Sequence, residues 1–359
     1  MAIKQTRKTP QQIEEKILSL LKKGPLSTKK LSDILKSNWS TINNYLEELK
    51  HDGKVREIYS RENLKVYVRS DYPVFYGLPL EDKKFNDSLF LLSKIIETWQ
   101  EKKKEMINKT TMQKIAVNVI KKNSFDIPVV RFHYGKVLTT FLEPERYRET
   151  ITIYGVKEPP ISNKIIKAIE YEIEKEEHSN IAWKEKKKQY LEYPDMKIFD
   201  LSDSISHSIS KSSIDLQKML SLFYDVLLEI PTNERYSYLF KQYHEFIGAV
   251  NFIFNSTQFN SSDEDKKNCL KEILDTFSSL WQALTTEFFF EDIEPIIDKE
   301  FKDIMQFIKD SKVKTHCFEI EERLNNLLEY KKSLNPRKVV IGEDEKKIIE
   351  ILLEGANEE

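Results

Sequence analysis

Scarce glycine bounds what this chain can fold into. Only 8 of its 359 residues are glycine, where average usage of about 7% would give roughly 25. No two glycines lie closer than 13 positions. The phosphate-cradling GxGxxG and Walker loops and the GxSxG elbow all need glycines close together, so none is present. Few residues free to take positive φ also means few tight turns, and predicts long helices. Hydrophobic residues make up 40% and aromatics 11%, enough for a sizeable core, and the length supports two or three domains. The expected fold class is mainly α.

The segment with most local information runs from residue 11 to 70. Ile13, Ile17, Leu18, Leu20 and Leu21 recur with a helical period, and Gly24-Pro25 stops the helix. Ser27 is placed to cap a short helix carrying Leu31, Ile34 and Leu35 inward. Lys36-Ser37-Asn38 reads as a turn, with Asn38 capping a third helix. That helix buries Ile42, Tyr45, Leu46 and Leu49, and shows Trp39, Ser40, Asn43, Asn44, Glu47 and His51 on its other face. Asp52-Gly53 ends it. Val55–Tyr59 and Leu64–Val68 read as two short strands, with Arg61-Glu62-Asn63 turning between them.

Helix, helix, turn, helix and a two-stranded wing, carried by "GPLSTKKLSDIL", "NWSTINNYLEEL" and "DGKV", resembles the winged helix-turn-helix domains of ArsR- and MarR-like transcriptional regulators. The resemblance covers residues 11–70 only. It implies that Trp39, Ser40, Asn43 and Asn44 approach base edges in the major groove and that Arg61 sits at the wing tip. Lys29, Lys30, Lys36, Arg56, Arg61 and Lys65 would then hold phosphates. Such helices often carry Arg where this one has Trp39 and Asn44. Arg reads guanine, whereas Asn pairs bidentately with adenine. Glu47 would repel a phosphate that came close.

Charge is unevenly spread. Residues 1–70 carry 15 Lys+Arg against 8 Asp+Glu, a net +7; residues 71–212 carry 24 against 22, and residues 213–359 carry 18 against 29, a net −11. A basic end on a near-neutral chain suits phosphate binding. The expected function is a DNA-binding transcriptional regulator on duplex DNA, dimeric because one short helix reads few bases. Its acidic C-terminal region would meet a protein partner or a ligand. Two rivals use the same head: a replication or partition factor of a mobile element, and an assembly subunit whose winged helix binds protein alone.

The expected organisation is a basic arm over 1–10, a winged helix-turn-helix over 11–70, a linker over 71–84, a helical domain with short strands over 85–212 and an acidic helical domain over 213–359. Asp87 reads as the cap of a helix to about Asn108, and Thr110 or Thr111 starts another. "IPVVRFHYG", "KVLTTFL" and "TITIYG" are β-branched and aromatic, and predict two or three strands within 127–154. His133 in this patch reads as a packed histidine, since no second titrating partner is near it in sequence. A long helix is expected over Ser162–Tyr193, where "WKEKKKQ" reads as a solvated lysine-rich face. Isoleucine at 205, 209 and 214 makes "DSISHSISKSS" a candidate helix. Further helices are expected near 214–230, 233–256, 264–291, 293–310 and 317–333, with an apolar tail helix over Asp344–Leu353.

No chemistry-bearing motif emerges. There is no HExxH or CxxC, and Cys269 and Cys317 lie 48 apart, so they read as free thiols of a reducing cytoplasm. No metal or cofactor and no enzymatic activity are expected. No apolar run approaches the roughly 18–20 residues of a membrane span, and the N-terminus is too polar for a signal peptide. The expectation is a cytoplasmic, nucleoid-associated protein.

Overall fold

The computed structural model describes residues 9–61, 64–74, 78, 80–133, 135–175, 187, 190, 191, 193–209, 215–256, 259, 263–297 and 299–334. The chain is mainly helical. Two compact units form by contact: one comprises Met1–Ser204 and Trp281–Cys317, the other Ile205–Leu280 and Phe318–Glu359. The acidic segment expected as one domain over 213–359 is thus shared between both.

The N-terminal elements are α1 (Pro10–Leu21), β1 (Leu26–Ser27), α2 (Thr28–Leu35), α3 (Trp39–His51), β2 (Val55–Arg61) and β3 (Leu64–Arg69). Each helix starts where a side chain takes up orphan backbone N–H groups. Thr9 and Gln12 form a reciprocal capping box on α1, with Pro10 in its first turn. Ser27 accepts from Lys30 N at 3.1 Å and Asn38 from Ser40 N at 3.0 Å. The three strands form one antiparallel sheet in the order β1-β3-β2. Side chains alternate across a strand, and β3 uses both faces. Tyr67 joins the core of Ile17, Leu21, Leu31, Leu35, Ile42, Leu46 and Leu49. Val66 and Val68 point the other way, and with Tyr59 they pack against Phe289, Phe290, Ile293, Met305 and Ile308. An irregularity in β2 between Glu57 and Tyr59 shifts the pairing there.

The segment after β3 is docked. Tyr72, Val74 and Leu78 are buried in the same core as the hairpin's second face, and Val74 makes an isolated bridge to Thr140. Then follow α4 (Asp82–Lys103), α5 (Lys109–Asn123), β4 (Val129–Phe132), β5 (Gly135–Leu138), α6 (Tyr147–Tyr154) and α7 (Ser162–Glu174). Helices α4, α5 and α7 share a core through Leu92, Ile96, Ile115, Val119, Ile165 and Ile169. Helix α4 begins at Asp82, five residues before the expected cap. Asp87 therefore lies inside the helix and is buried. The strand expected at "TITIYG" is the helix α6. Pro144 opens the preceding 3-10 turn, and Gly155 closes the helix at φ +61°, so the two ends override the β preference of Thr150, Ile151, Thr152 and Ile153. The β4–β5 hairpin is held by Arg131, whose Nη2 and Nε donate to the Asp292 carboxylate at 2.7 and 3.0 Å.

Helix α8 (Lys197–Ile209) contains the serine-rich run up to Ile209. Then come α9 (Leu216–Glu229), α10 (Ser237–Phe254), α11 (Asp263–Ile293) and α12 (Lys299–Ser333). The second unit packs an aromatic centre in which Phe223 meets Phe246 and Phe277 at centroid distances of 5.1 and 5.3 Å. The two helices expected at 293–310 and 317–333 are one, α12, because neither Pro nor Gly interrupts residues 311–316. Helices α11 and α12 each contribute to both units. The tail helix expected at Asp344–Leu353, residues 1–8 of the arm and the "WKEKKKQ" run, apart from Lys187, lie outside the described residues. Among the described residues no helix is long and apolar enough to cross a membrane, and no cluster of His, Cys, Asp and Glu is arranged to hold a metal ion.

Candidate nucleic-acid interface

The candidate surface is the rim made by α2, the turn after it, and the first half of α3. The turn is tight. Lys36 takes a left-handed conformation at φ +52°, and Ser32 Oγ donates to the Ser37 carbonyl at 2.6 Å. Asn38 then caps α3, which projects its first turn outward. Trp39 is 38% exposed, and Ser40, Thr41 and Asn44 are exposed beside it. Lys29, Lys30 and Lys36 are exposed on the same α2–turn segment. Among the described residues no carboxylate pairs with any of the three. This rim therefore offers hydrogen-bonding side chains and uncompensated cations together.

Asn43 differs from its neighbour. It is half-buried, and its Oδ1 is shielded from solvent and accepts no hydrogen bond among the described residues. Of the four residues expected at base edges, Trp39, Ser40 and Asn44 present an open surface, while Asn43 is turned partly inward.

The expected phosphate-holding residues divide in the same way. Lys65 Nζ donates to Glu47 Oε1 at 2.7 Å, and Tyr67 OH donates to the same oxygen at 2.8 Å. Lys50 reaches Glu57 at 2.7 Å and Glu47 at 3.8 Å. The hydrogen bond from Lys65, followed by that from Tyr67, holds the Glu47 carboxyl below its ordinary pKa. Glu47 thus stays ionised and neutralises Lys65 rather than standing as a lone repulsive charge. It also ties the middle of α3 to β3. Arg56 is exposed, and its Nη2 donates to the Tyr72 carbonyl at 3.4 Å. Arg61 ends β2, and its side chain lies outside the described residues.

Sequence reasoning missed one feature. A cavity of about 790 Å³ is lined by β2 (Arg56, Glu57, Ile58), the 70–74 segment, Phe132, α6 with its preceding turn, and Ile308 and Lys312 of α12. Its lining spans residues 56 to 312, so no local pattern announces it. His133 is half-buried, with Nδ1 2.7 Å from Thr285 Oγ1. Burial, and then the nearby His316, hold its pKa below the ordinary histidine value.

Comparison of the chain with protein-family models, curated proteins and solved structures returns no match.

Proposed function

We propose that the chain is a non-enzymatic regulator that binds duplex DNA through a winged helix-turn-helix formed by residues 11–70. In this reading α3 is the recognition helix and the β2–β3 hairpin the wing. The observation that carries it is the α2–α3 rim, where exposed Trp39, Ser40 and Asn44 stand beside Lys29, Lys30 and Lys36 with no carboxylate pairing those lysines among the described residues. Phosphates would be held by these lysines, and base edges would be met by Asn44 and Ser40. One short helix reads few base pairs, so the reading includes a dimer, with both copies in the cytoplasm.

A second reading rests on a different observation. Ile34 and Trp39, on the same rim, are 45% and 38% exposed. Two large apolar side chains in the open favour a protein partner.

Fluorescence anisotropy of the full chain on a mixed duplex pool, at about 50 and 200 mM salt, separates the two. For ~4–6 phosphate contacts the affinity falls roughly 10²–10³-fold over that range. The variant K29Q/K30Q/K36Q should lower the log–log slope by about 2.7, at about 0.9 per contact. A full chain that stays unbound at the lower salt, but co-purifies with a stoichiometric protein, establishes the second reading instead.

A further inference from the structure

We propose that the cavity between the hairpin, α6 and α12 binds a small organic anion, a carboxylate or phosphate monoester with an apolar body, and that Arg56 holds its head group. This goes beyond DNA binding and does not depend on it.

Charge accounting around the wall points to an anion. Four carboxylates line the cavity, and each already has a cation. Glu57 pairs with Lys50 at 2.7 Å, Asp71 with Arg69 at 2.7 Å, Glu143 with Lys109 at 3.0 Å and Glu149 with Arg146 at 3.0 Å. The wall therefore carries no unmet negative charge that a cationic ligand would answer. Arg146 and Lys312 line the cavity too, but Glu149 holds Arg146 and Lys312 has an interaction of its own. Arg56 is the exception. No carboxylate pairs with it among the described residues, and its contact to the Tyr72 carbonyl is at the long limit of a hydrogen bond. Arg56 is exposed by surface area, yet the surrounding protein strips enough water from its guanidinium to lower its pKa. A partly desolvated guanidinium without a counter-charge is costly, and an anion delivered to it is correspondingly favoured.

The rest of the wall fits an amphiphilic occupant. Ile58, Val74, Phe132, Leu142, Ile153 and Ile308 supply apolar surface. The volume lies within the range of small-molecule sites, about 300–1,000 Å³. The planar fork of Arg matches carboxylate and phosphate oxygens in a bidentate way, which a lysine would not. The occupant would touch β2 of the hairpin and, on the facing side, α6 and α12, so occupancy would be felt by the hairpin.

Isothermal titration calorimetry on the full chain, without DNA, tests this with three probes: 4-phenylbutyrate, its primary amide and phenyl phosphate. The acid or the phosphate should bind saturably at one site per chain, and the amide about tenfold or more weakly, as loss of a charged hydrogen bond implies. Which of the two anions binds tighter identifies the head group. R56Q should abolish the preference for the anion over the amide, and R56K should restore only part of it. E149Q should tighten anion binding, because it frees Arg146. Far-UV circular dichroism verifies that each variant is folded. Equal affinity of acid and amide, an unchanged preference in R56Q, or no binding of any probe up to roughly 10 mM, far weaker than a specific site, overturns the proposal. Because no DNA is present, this outcome is independent of the anisotropy experiment.

Discussion

The α2–α3 rim and the β2–β3 hairpin are both basic in sequence, yet they are electrostatically different surfaces. On the rim, Lys29, Lys30 and Lys36 stand in solvent with no carboxylate pairing them among the described residues. On the hairpin side, Lys50 and Lys65 bind Glu57 and Glu47, and Arg69 binds Asp71 through two hydrogen bonds. A count of lysines and arginines weighs these residues equally, whereas a phosphate approaching from solvent does not. Available charge, not net charge, sets which part of a basic domain meets a polyanion.

The comparison can be sharpened first at α3. Asn44→Ala should cost binding to a selected DNA site about 10- to 100-fold, the range of one good base contact. Asn43→Ala should cost clearly less, because its amide oxygen is shielded. Parallel anisotropy on selected and scrambled duplexes measures both. Equal losses would place Asn43 at the bases as well.

A smaller effect is expected where hairpin charge is released. Glu47→Gln leaves Lys65 without its counter-charge, and should steepen the salt dependence of DNA binding by about 0.9 and tighten binding several-fold at low salt. An unchanged slope would mean that Lys65 lies away from the duplex. The same pair has a signature in pH. Glu47 has a folded pKa below its ordinary 4.5, so its contribution to stability is present above that value and disappears as pH falls through the lowered one. The stability gap between the wild type and Glu47→Gln, measured by urea denaturation, should therefore be open at pH 7 and close below about pH 4.5.

The smallest effect separates backbone from charge. Lys36, Lys104 and Ser124 take left-handed conformations at helix ends, where glycine is usual. Lys36→Gly and Lys104→Gly should each stabilise the chain by about 1 kcal/mol through relief of left-handed strain. Only Lys36→Gly should also weaken DNA binding. If both leave binding unchanged, Lys36 makes no phosphate contact.

Local signals carried far in the N-terminal region. Ser27 and Asn38 cap the helices they were expected to cap, and the two strands of the hairpin fall within a few residues of their expected bounds. These features depend on side chains acting on their own next three residues. The errors came where tertiary packing decides. Thr150–Ile153 reads as a strand and forms a helix, and the polar stretch 311–316 looks like a break but continues α12. At the candidate site the exposed face of α3 was readable from periodicity, but the pairing of Glu47 with Lys65 and the inward turn of Asn43 were not. The first joins positions 18 apart, and the second depends on what surrounds α3. The cavity was invisible for the same reason, since its wall is gathered from Arg56 through Lys312.

The two-sided burial of β3 bears on how such a molecule can be taken apart or reassembled. Tyr67 closes one core, while Val66 and Val68, one residue to either side, close another that includes Phe289, Phe290 and Ile293. The hairpin is a wall common to two rooms. Excising the first seventy residues would leave that aromatic surface open to water, and grafting a foreign head would require a strand whose outward face fits it. A lineage could exchange this head for another only by changing residues near 290 and 305 as well, which makes recombination at the apparent domain boundary a poor route to new specificity. Substitutions confined to the exposed Trp39, Ser40, Thr41 and Asn44 of α3 leave both rooms intact, so they are the accessible path.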